Sequence, residues 1–366
     1  MNSVQPPLFS SAQIVDLFAG PGGLDVAAHW LGKSVTGIEW DDDACATRLA
    51  AGIDTRHADV REFGPDDFPH ATVLTGGPPC QTYTVAGGGA GRRALDEVLK
   101  FLQRVVNREE VKEELAKLHG KDDPRTGLVL EPLRWALAAY DADKPYKSIV
   151  LEQVPAVLPV WEAYEKALRN LGYDVETGVL QTEEFGVPQT RRRAILIARL
   201  DGEAKLPTPT HRRYRKGKPR DEGDQSLLPW VSMAEALGRK DKFVVVSNYG
   251  TGGVPEARGR RQSYEPSATV TGKIDRNKLY RDDSLKSAPT RFTPPEYGRL
   301  QTFPRDYPWS GKRIPQQVGN AIPPRLATHI LAAALGLKFK PADLDLAVES
   351  HWVSDPAKPL VPTTKA

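Results

Sequence analysis

Short β-rich runs alternate with helical stretches along the first half of this 366-residue chain, and this alternation constrains its fold most strongly. The runs typical of buried strands are Ile14–Phe18, Val35–Glu39, Thr72–Thr75 and Ser148–Leu151, with a weaker one at Thr55–His57. Helical spacing predicts helices over Leu24–Leu31, Ala44–Ala51, Leu128–Tyr140 and Val160–Leu171. Strands in alternation with helices favour an α/β fold with a doubly wound parallel sheet. A further pair, Tyr173–Leu180 and Ala194–Ala198, is expected to close it as a hairpin and make it mixed.

The composition changes near residue 200. Short β-rich pieces, Phe243–Val246 and Ala268–Thr271, stand among Gly and Arg residues, and helical spacing returns at Pro324–Leu337. At about 150 residues per domain, the length favours two domains. We expect a larger domain over 1–199, a smaller, loop-rich and mostly β domain over 200–312, a segment 313–350 that returns to the larger domain, and a tail over 351–366.

A helical insertion interrupts the larger domain at about 92–120. Leu95, Val98, Leu102 and Val105 recur there at helical spacing among charged residues, which predicts one or two amphipathic helices. Two interpretations stay open. The insertion either packs a structural face on the domain or contacts a substrate or a partner chain.

Charge and cysteine content exclude several classes of protein. The net charge of +3 indicates little about partners, and no apolar run reaches the length of a membrane span. Two cysteines, Cys45 and Cys80, are too few for a disulfide framework or a structural zinc site, so no metal is expected. The N-terminus lacks the pattern of a secretory signal, which favours a cytoplasmic protein.

Three ligand-type groups follow successive predicted strands. The segment DLFAGPGG, residues 16–23, leads from a strand through a Gly-rich turn into a helix, whose N-terminus presents backbone N–H groups. Glu39 ends the second strand and can accept both hydroxyls of a ribose, Trp40 can cover an adenine face, and Asp59 can accept from an adenine amino group. Singly these are typical of turns and helix caps. Together they predict a site for an adenosine-bearing cofactor.

A second group of residues indicates covalent chemistry. Cys80 lies in GGPPCQ at the end of a predicted strand, and Glu152 in LEQVP ends the next one. Arg191 and Arg193 in QTRRR lie on one face of an extended run. A thiol that acts as a nucleophile needs surroundings that favour the thiolate. Such a Cys with a carboxyl group and an Arg beside an adenosine site favours covalent attack on a heterocycle.

Taken in order, these motifs resemble those of the DNA (cytosine-5) methyltransferase family. The matching segments are DLFAGPGG, IEWDDDA, TGGPPCQ, LEQV, QTRRRAILIA and QQVGNAIPP, which span most of residues 12–335. The resemblance implies a class I, Rossmann-like methyltransferase fold around S-adenosylmethionine (SAM), with a small target-recognition domain. The residues that it places around SAM are Phe18, Gly20, Gly22, Gly23, Leu24, Glu39, Trp40, Asp59, Val60, Pro79 and Asn320.

The resemblance also implies a reaction. The Cys80 thiolate would add to carbon 6 of a flipped-out cytosine, and carbon 5 would then take the methyl group of SAM. Glu152 would hydrogen-bond ring nitrogen 3 and supply a proton, while Arg193 would bind the carbonyl oxygen with Arg191 supporting the site. One departure lies here. The family usually has Glu-Asn-Val where this chain has Glu152-Gln153-Val154, and the longer amide changes how the Pro-Cys loop would be supported.

The region available for target recognition is short. The basic run over 210–220 is expected to meet phosphates, which position a protein on DNA without specifying sequence, and a solvated basic loop is the alternative. The candidate recognition segments are 249–261 and 273–283. The residues expected to contact DNA are Gln81, Arg125, Arg212, Arg213, Arg215, Tyr249, Gly252 and Arg260.

Other functions remain to be separated from DNA methylation. The same motifs with a reduced recognition region would also suit a tRNA cytosine-5 methyltransferase. A catalytically weak DNA-binding regulator is supported by Gln153 alone, and a nicotinamide oxidoreductase leaves PPCQ and QTRRR unexplained. For the DNA enzyme we expect a nucleoid-associated monomer that acts on duplex DNA, with a companion restriction endonuclease at the same site.

Overall fold

The computed structural model describes residues 11–79, 90–111, 114, 126–248, 258–355 and 357–365. A seven-stranded sheet forms the centre, in the order β3-β2-β1-β4-β5-β7-β6. Its strands are β1 Ile14–Leu17, β2 Val35–Glu39, β3 Thr55–His57, β4 Val73–Gly76, β5 Ser148–Gln153, β6 Asp174–Gln181 and β7 Arg192–Arg199. The first five are parallel, and β7 runs antiparallel between β5 and β6. The doubly wound mixed sheet predicted from the sequence is confirmed.

Helices cover both faces of this sheet. The helices in the described part of the chain are α1 Gly23–Trp30, α2 Asp42–Ala50, α3 Ala90–Val106, α4 Glu131–Asp141, α5 Leu158–Asn170, α6 Met233–Leu237, α7 Pro294–Leu300, α8 Ile314–Asn320, α9 Pro324–Leu335 and α10 Pro341–Glu349. Of these, α6 and α7 pack in a separate core in the second half of the chain. On one face, α1 packs against α9 around a core that includes Val26 and Leu326. On the other, α4 and α5 bury a core that includes Trp135 and Trp161. The late helix α9 therefore packs back on the first half of the chain.

The described part of the insertion packs on the large sheet's helices. Val98 and Leu102 of α3 are buried in the same core as α4 and α5, and Arg108 forms an ion pair with Asp141 at the end of α4. These contacts favour the structural interpretation for α3. Residues 115–120 lie outside the described part of the chain.

A three-stranded antiparallel sheet follows in the second half, in the order β10-β8-β9. Its strands are β8 Val244–Val246, β9 Arg260–Gln262 and β10 Lys278–Tyr280. The β-rich composition of Ala268–Thr271 predicts a strand, and this prediction is wrong. This segment is irregular because side chains of residues 189 and 191, and not a neighbouring strand, bind the backbone N–H and carbonyl of Val270.

The last residues also pack on the large sheet's domain. Strand β12, Thr363–Lys365, pairs with β11, Leu337–Phe339, and Trp352 stacks on His29 of α1 at 5.5 Å between ring centroids. The expected boundaries at 199, 312 and 350 stay predictions. In the described ranges, no helix has the length and hydropathy that crossing a bilayer requires.

Candidate active site

A cavity opens at the carboxyl ends of the parallel strands, where ligands bind in doubly wound sheets. Its walls come from the ends of β1, β2, β4 and β5 and from α8. Predicted site residues that line it are Phe18, Gly20, Glu39, Trp40, Asp59, Val60, Pro79, Glu152, Arg191, Arg193 and Asn320. A smaller adjoining cavity is lined by Gly23 and Leu24 together with Asp16. Of the described residues predicted for the cofactor, Gly22 alone lines neither cavity.

The Gly-rich turn needs glycine for packing. Gly22 has φ 100°, in the left-handed region, and a Cβ there would lie 2.8 Å from the Tyr307 hydroxyl. A Cβ on Gly23 would lie 2.2 Å from the carbonyl oxygen of Ile322. The absence of side chains at these two positions lets the returning C-terminal segment sit against the turn, and the Tyr307 hydroxyl donates to the Pro21 carbonyl at 2.5 Å.

A buried ion pair beneath the turn was not predicted. Arg48 of α2 binds both carboxylate oxygens of Asp25 of α1 at 2.8 Å, and neither side chain is exposed. Asp16 lies nearby and accepts from the Thr75 hydroxyl at 2.7 Å. Burial, reinforced by the Asp25 carboxylate, raises the pKa of Asp16 to about 7. In the sequence, Arg48 is only one more polar residue on a helix, so no local signal marks this pair.

The Glu39 carboxylate hydrogen-bonds the Gly-rich turn and the backbone that follows β2. Its carboxylate accepts from the backbone N–H groups of Gly20 at 2.7 Å and of Trp40 and Asp41 at 2.8 Å. Since an ionised carboxylate has about four acceptor positions, three bonds leave one for a ligand hydroxyl. The Trp40 side chain at the cavity rim is 58% exposed and available to a planar ligand.

Asp59 lies at the same rim after β3. Its carboxylate accepts from the backbone N–H of Arg61 at 2.9 Å and pairs with the Arg61 guanidinium. Partial burial opposes the charged form, but the hydrogen bonds from Arg61 prevail and lower the pKa of Asp59. Asp59 therefore stays a charged acceptor at neutral pH.

Glu152 and Arg193 meet at the other end of the cavity. They come from the antiparallel neighbours β5 and β7, and Arg193 Nε lies 2.6 Å from Glu152 Oε1. Both side chains are about nine-tenths buried, at 11% and 12% exposure. The pair presents a carboxyl group and a cation side by side, as a substrate ring with a carbonyl and a basic nitrogen requires.

Gln153 supports the loop that leads to Cys80. Its side chain is buried, with Nε2 donating to the Pro78 carbonyl and Oε1 accepting from the Val154 N–H. The longer amide therefore binds the loop backbone directly. Cys80 itself lies outside the described residues.

Arg191, predicted to support the catalytic site, binds backbone carbonyls. Its buried guanidinium donates to the Val270 carbonyl at 2.9 Å and to the Gly319 and Ala321 carbonyls at 2.9 and 3.2 Å. The last carbonyls of a helix have no partner within it, so Arg191 caps α8, which lines the cavity. This geometry makes Arg191 a positioning residue.

Two buried glutamines complete this junction: Gln189, the first residue of the QTRRR motif, and Gln301, which no sequence motif marks. Gln189 Nε2 donates to Gln301 Oε1 at 2.6 Å, while Gln189 Oε1 accepts from the Val270 N–H at 3.0 Å. Gln301 Nε2 donates to the Val318 carbonyl at 2.7 Å. Side chains thus join the segment before β7, the end of α7, α8 and the irregular segment at Val270.

The described residues that were predicted to contact DNA differ in the exposure of their side chains. Arg212 is buried, and its guanidinium donates to the carbonyls of Asp224 and Arg220 and to the Gln225 side chain, which corrects the expectation that it meets phosphate. Arg213 and Arg215 are exposed, and Arg260 in β9 is half-buried. The predicted residues outside the described part of the chain are Gln81, Arg125, Tyr249 and Gly252. Within the described ranges, no group of three His, Cys, Asp or Glu residues could hold a metal ion.

Comparisons with known proteins agree with this geometry. A family model described as C-5 cytosine-specific DNA methylase matches residues 12–102 and 115–335. The Type II methyltransferase M1.HphI of Haemophilus parahaemolyticus is 29% identical, over 89% of this chain and 87% of that protein. The Type II methyltransferase M.PspPI of a Psychrobacter strain is 30% identical, over 87% of this chain and 78% of that protein.

Solved structures show the same fold at lower identity. The S. pombe Dnmt2 methyltransferase superposes with a TM-score of 0.58 and 17% identity, over 88% of this chain and 98% of that one. The Entamoeba histolytica methyltransferase EhMeth gives a TM-score of 0.55 and 14% identity, over 89% of this chain and 98% of that one.

Proposed function

The chain belongs to the C-5 cytosine-specific DNA methylase family, and from this premise we infer which of its residues transfer a methyl group to carbon 5 of cytosine in DNA. The observation that carries the assignment is the Glu152–Arg193 pair, which lies in one cavity with the Glu39 carboxylate. One end of the cavity thus suits a cytosine ring and the other an adenosine.

S-adenosylmethionine is the methyl donor, and the residues of the cavity fit it. The fourth acceptor position of Glu39 would take a ribose hydroxyl, the exposed face of Trp40 would cover the adenine, and Asp59 would accept from the adenine amino group. Asn320 lines both cavities and would contact the methionine part. When bound, the cofactor supplies an electrophilic methyl group on a sulfonium centre.

This chain's residues would activate the cytosine. Carbon 5 is a poor nucleophile until the Cys80 thiolate adds to carbon 6 and turns the ring into an enamine. Glu152 would give a proton to ring nitrogen 3 as negative charge develops there, and Arg193 would bind the carbonyl oxygen. After methylation, water or hydroxide would take the proton on carbon 5 as the Cys80 thiolate is eliminated, and ring nitrogen 3 would return its proton to Glu152, which restores the aromatic ring and the resting enzyme.

Duplex DNA requires two further steps. The base must leave the helix, because none of these atoms is reachable inside a duplex, at a cost of about a few kcal/mol. Exposed cations, Arg213 and Arg215 among them, would hold the phosphates. Type II relatives support a short specific target sequence and a companion endonuclease that recognises the same site.

Transfer of labelled methyl from SAM tests this proposal. Unmethylated duplex DNA of mixed sequence should become labelled in cytosine, and a Cys80→Ala variant should transfer none while still binding S-adenosylhomocysteine. Label in bulk tRNA alone would contradict the assignment of the substrate. Binding of S-adenosylhomocysteine without transfer to either nucleic acid would favour a regulator.

A further inference from the structure

An arginine bridges the two walls of the cofactor cavity at its mouth. Trp40 and Asp41 form one wall, and Arg313 and Gln316 form the other. Arg313 comes from the loop before α8, and its Nη2 lies 2.6 Å from Asp41 Oδ2 while its Nε lies 2.8 Å from Asp43 Oδ2. Both carboxylates belong to the start of α2, directly after Glu39.

Backbone contacts bring the two walls together at the same place. The Lys312 N–H donates to Asp43 Oδ1 at 2.7 Å, and the Ser310 N–H donates to the Thr47 hydroxyl at 2.9 Å. Gly311 has φ +85°, and a Cβ there would lie 2.6 Å from Asp43 Oδ1. Only glycine therefore lets the loop press this closely on α2.

Asp41 has two roles in this contact. Its Oδ1 caps α2 by accepting from the N–H groups of Asp43 and Ala44, both at 3.1 Å, and its Oδ2 accepts from Arg313. The Asp41 carboxylate thus links the start of α2, next to Glu39, to Arg313 on the opposite wall. The Lys312 N–H and the Arg313 guanidinium lower the pKa of Asp43, so the contact stays charged at neutral pH.

We propose that Arg313 is a positioning residue that clasps the loop 310–316 against α2 and thereby slows the release of the cofactor from its adenosine end. The proposal rests on the proposed function, because that function supplies the adenosine ligand. Arg313 is 53% exposed, so salt weakens its attraction to the two carboxylates. Release should therefore become faster as ionic strength rises.

The dissociation rate of S-adenosylhomocysteine measures this effect. That ligand carries no net charge at neutral pH, so its own attraction to the protein contributes little salt dependence. Stopped-flow fluorescence would follow its displacement at low salt and at about 1 M NaCl, where the screening length falls to about 3 Å. An exposed ion-pair network of this kind predicts that the wild-type rate rises about two- to fivefold.

Variants separate the clasp from general electrostatics. Arg313→Met should release the ligand faster at low salt, by the same factor, and should show little further change with salt. Asp43→Asn should speed release by a smaller factor, because Asp41 still pairs with Arg313, and the double variant should match Arg313→Met. Arg305→Met is the matched control, because Arg305 is 51% exposed and pairs with Glu349 away from the cavity, and it should behave as wild type.

Each outcome decides the proposal. A wild-type rate and salt dependence in Arg313→Met, with an unchanged midpoint of thermal unfolding, would overturn the clasp. Equal acceleration in Arg305→Met would overturn it as well, since the salt effect would then be general. Failure of the wild-type protein to bind S-adenosylhomocysteine at all would instead contradict the proposed function.

Discussion

Replacing Gln153 with methionine should lower the rate of methyl transfer while leaving the affinity for the cofactor nearly unchanged. The substitution keeps the length and volume of the side chain but removes the amide that binds the Pro78 carbonyl and the Val154 N–H. Pro78 is buried, two residues before Cys80. Its carbonyl would lose a buried hydrogen bond.

The size of the expected effect follows from the free energy of leaving the Pro78 carbonyl without a hydrogen bond. A buried acceptor left without a partner costs about 1–3 kcal/mol. The loop can avoid the cost by moving, which would take the Cys80 thiol away from the position set by Pro78. At 1.36 kcal/mol for each factor of ten in rate, the loss of kcat should be about 5- to 150-fold. Gln153→Asn keeps the amide with one methylene less, so its kcat should lie between that of Gln153→Met and that of the wild type.

Steady-state kinetics with labelled SAM and unmethylated duplex DNA would measure kcat and the KM for SAM. Ser148→Ala is the matched control, because Ser148 lies on the same strand and loses a buried hydrogen bond to the Ala334 carbonyl, 2.8 Å long, away from the cavity. It should lower the thermal midpoint with kcat retained. A wild-type kcat in Gln153→Met would refute the argument that this amide sets the loop.

Two further predictions concern Glu39 in the cofactor cavity and the exposed arginines of the basic run. Glu39→Ala should weaken binding of S-adenosylhomocysteine about tenfold or more by calorimetry, since both the ribose acceptor and the anchor of the turn are lost, whereas the exposed Glu62→Ala should have no effect. Changing Arg213 and Arg215 together to Ala should weaken duplex binding and reduce the salt slope by up to about 2 if each meets one phosphate. Arg212→Ala should instead lower stability, because its guanidinium binds the protein's own backbone; an unchanged slope in the double variant would show that the run faces solvent.

The central sheet was predictable because its signal is local. Continuous apolar runs with turn residues between them gave the strands of the large sheet, and most of the observed bounds lie within two residues of those expected. The Gly-rich turn and the residues after each strand also lie where parallel strands must bring them together. Sequence order alone therefore predicts that Glu39, Asp59 and Glu152 lie at one edge of the sheet.

Contacts between distant segments were not predictable in this way. Ala268–Thr271 has a β-rich composition, yet the side chains of Gln189 and Arg191 satisfy the backbone of Val270, so no strand forms. Arg212 stands in a basic run, and only the folded chain shows that its guanidinium is turned inward. The charge of a side chain can be read from the sequence, but its hydrogen-bond partners in distant segments cannot.

Covalent trapping on duplex DNA that contains 5-fluorocytosine would test the central claim most directly. Fluorine at carbon 5 cannot leave as the proton does, so after methyl transfer the sulfur–carbon 6 bond cannot be eliminated and the adduct should persist. The account predicts a complex between protein and DNA that survives denaturation, requires SAM, maps to Cys80 by mass spectrometry and is absent in Cys80→Ala. Methylation of ordinary cytosine with no trapped complex on the fluorinated duplex, or a complex mapped to another residue, would contradict it.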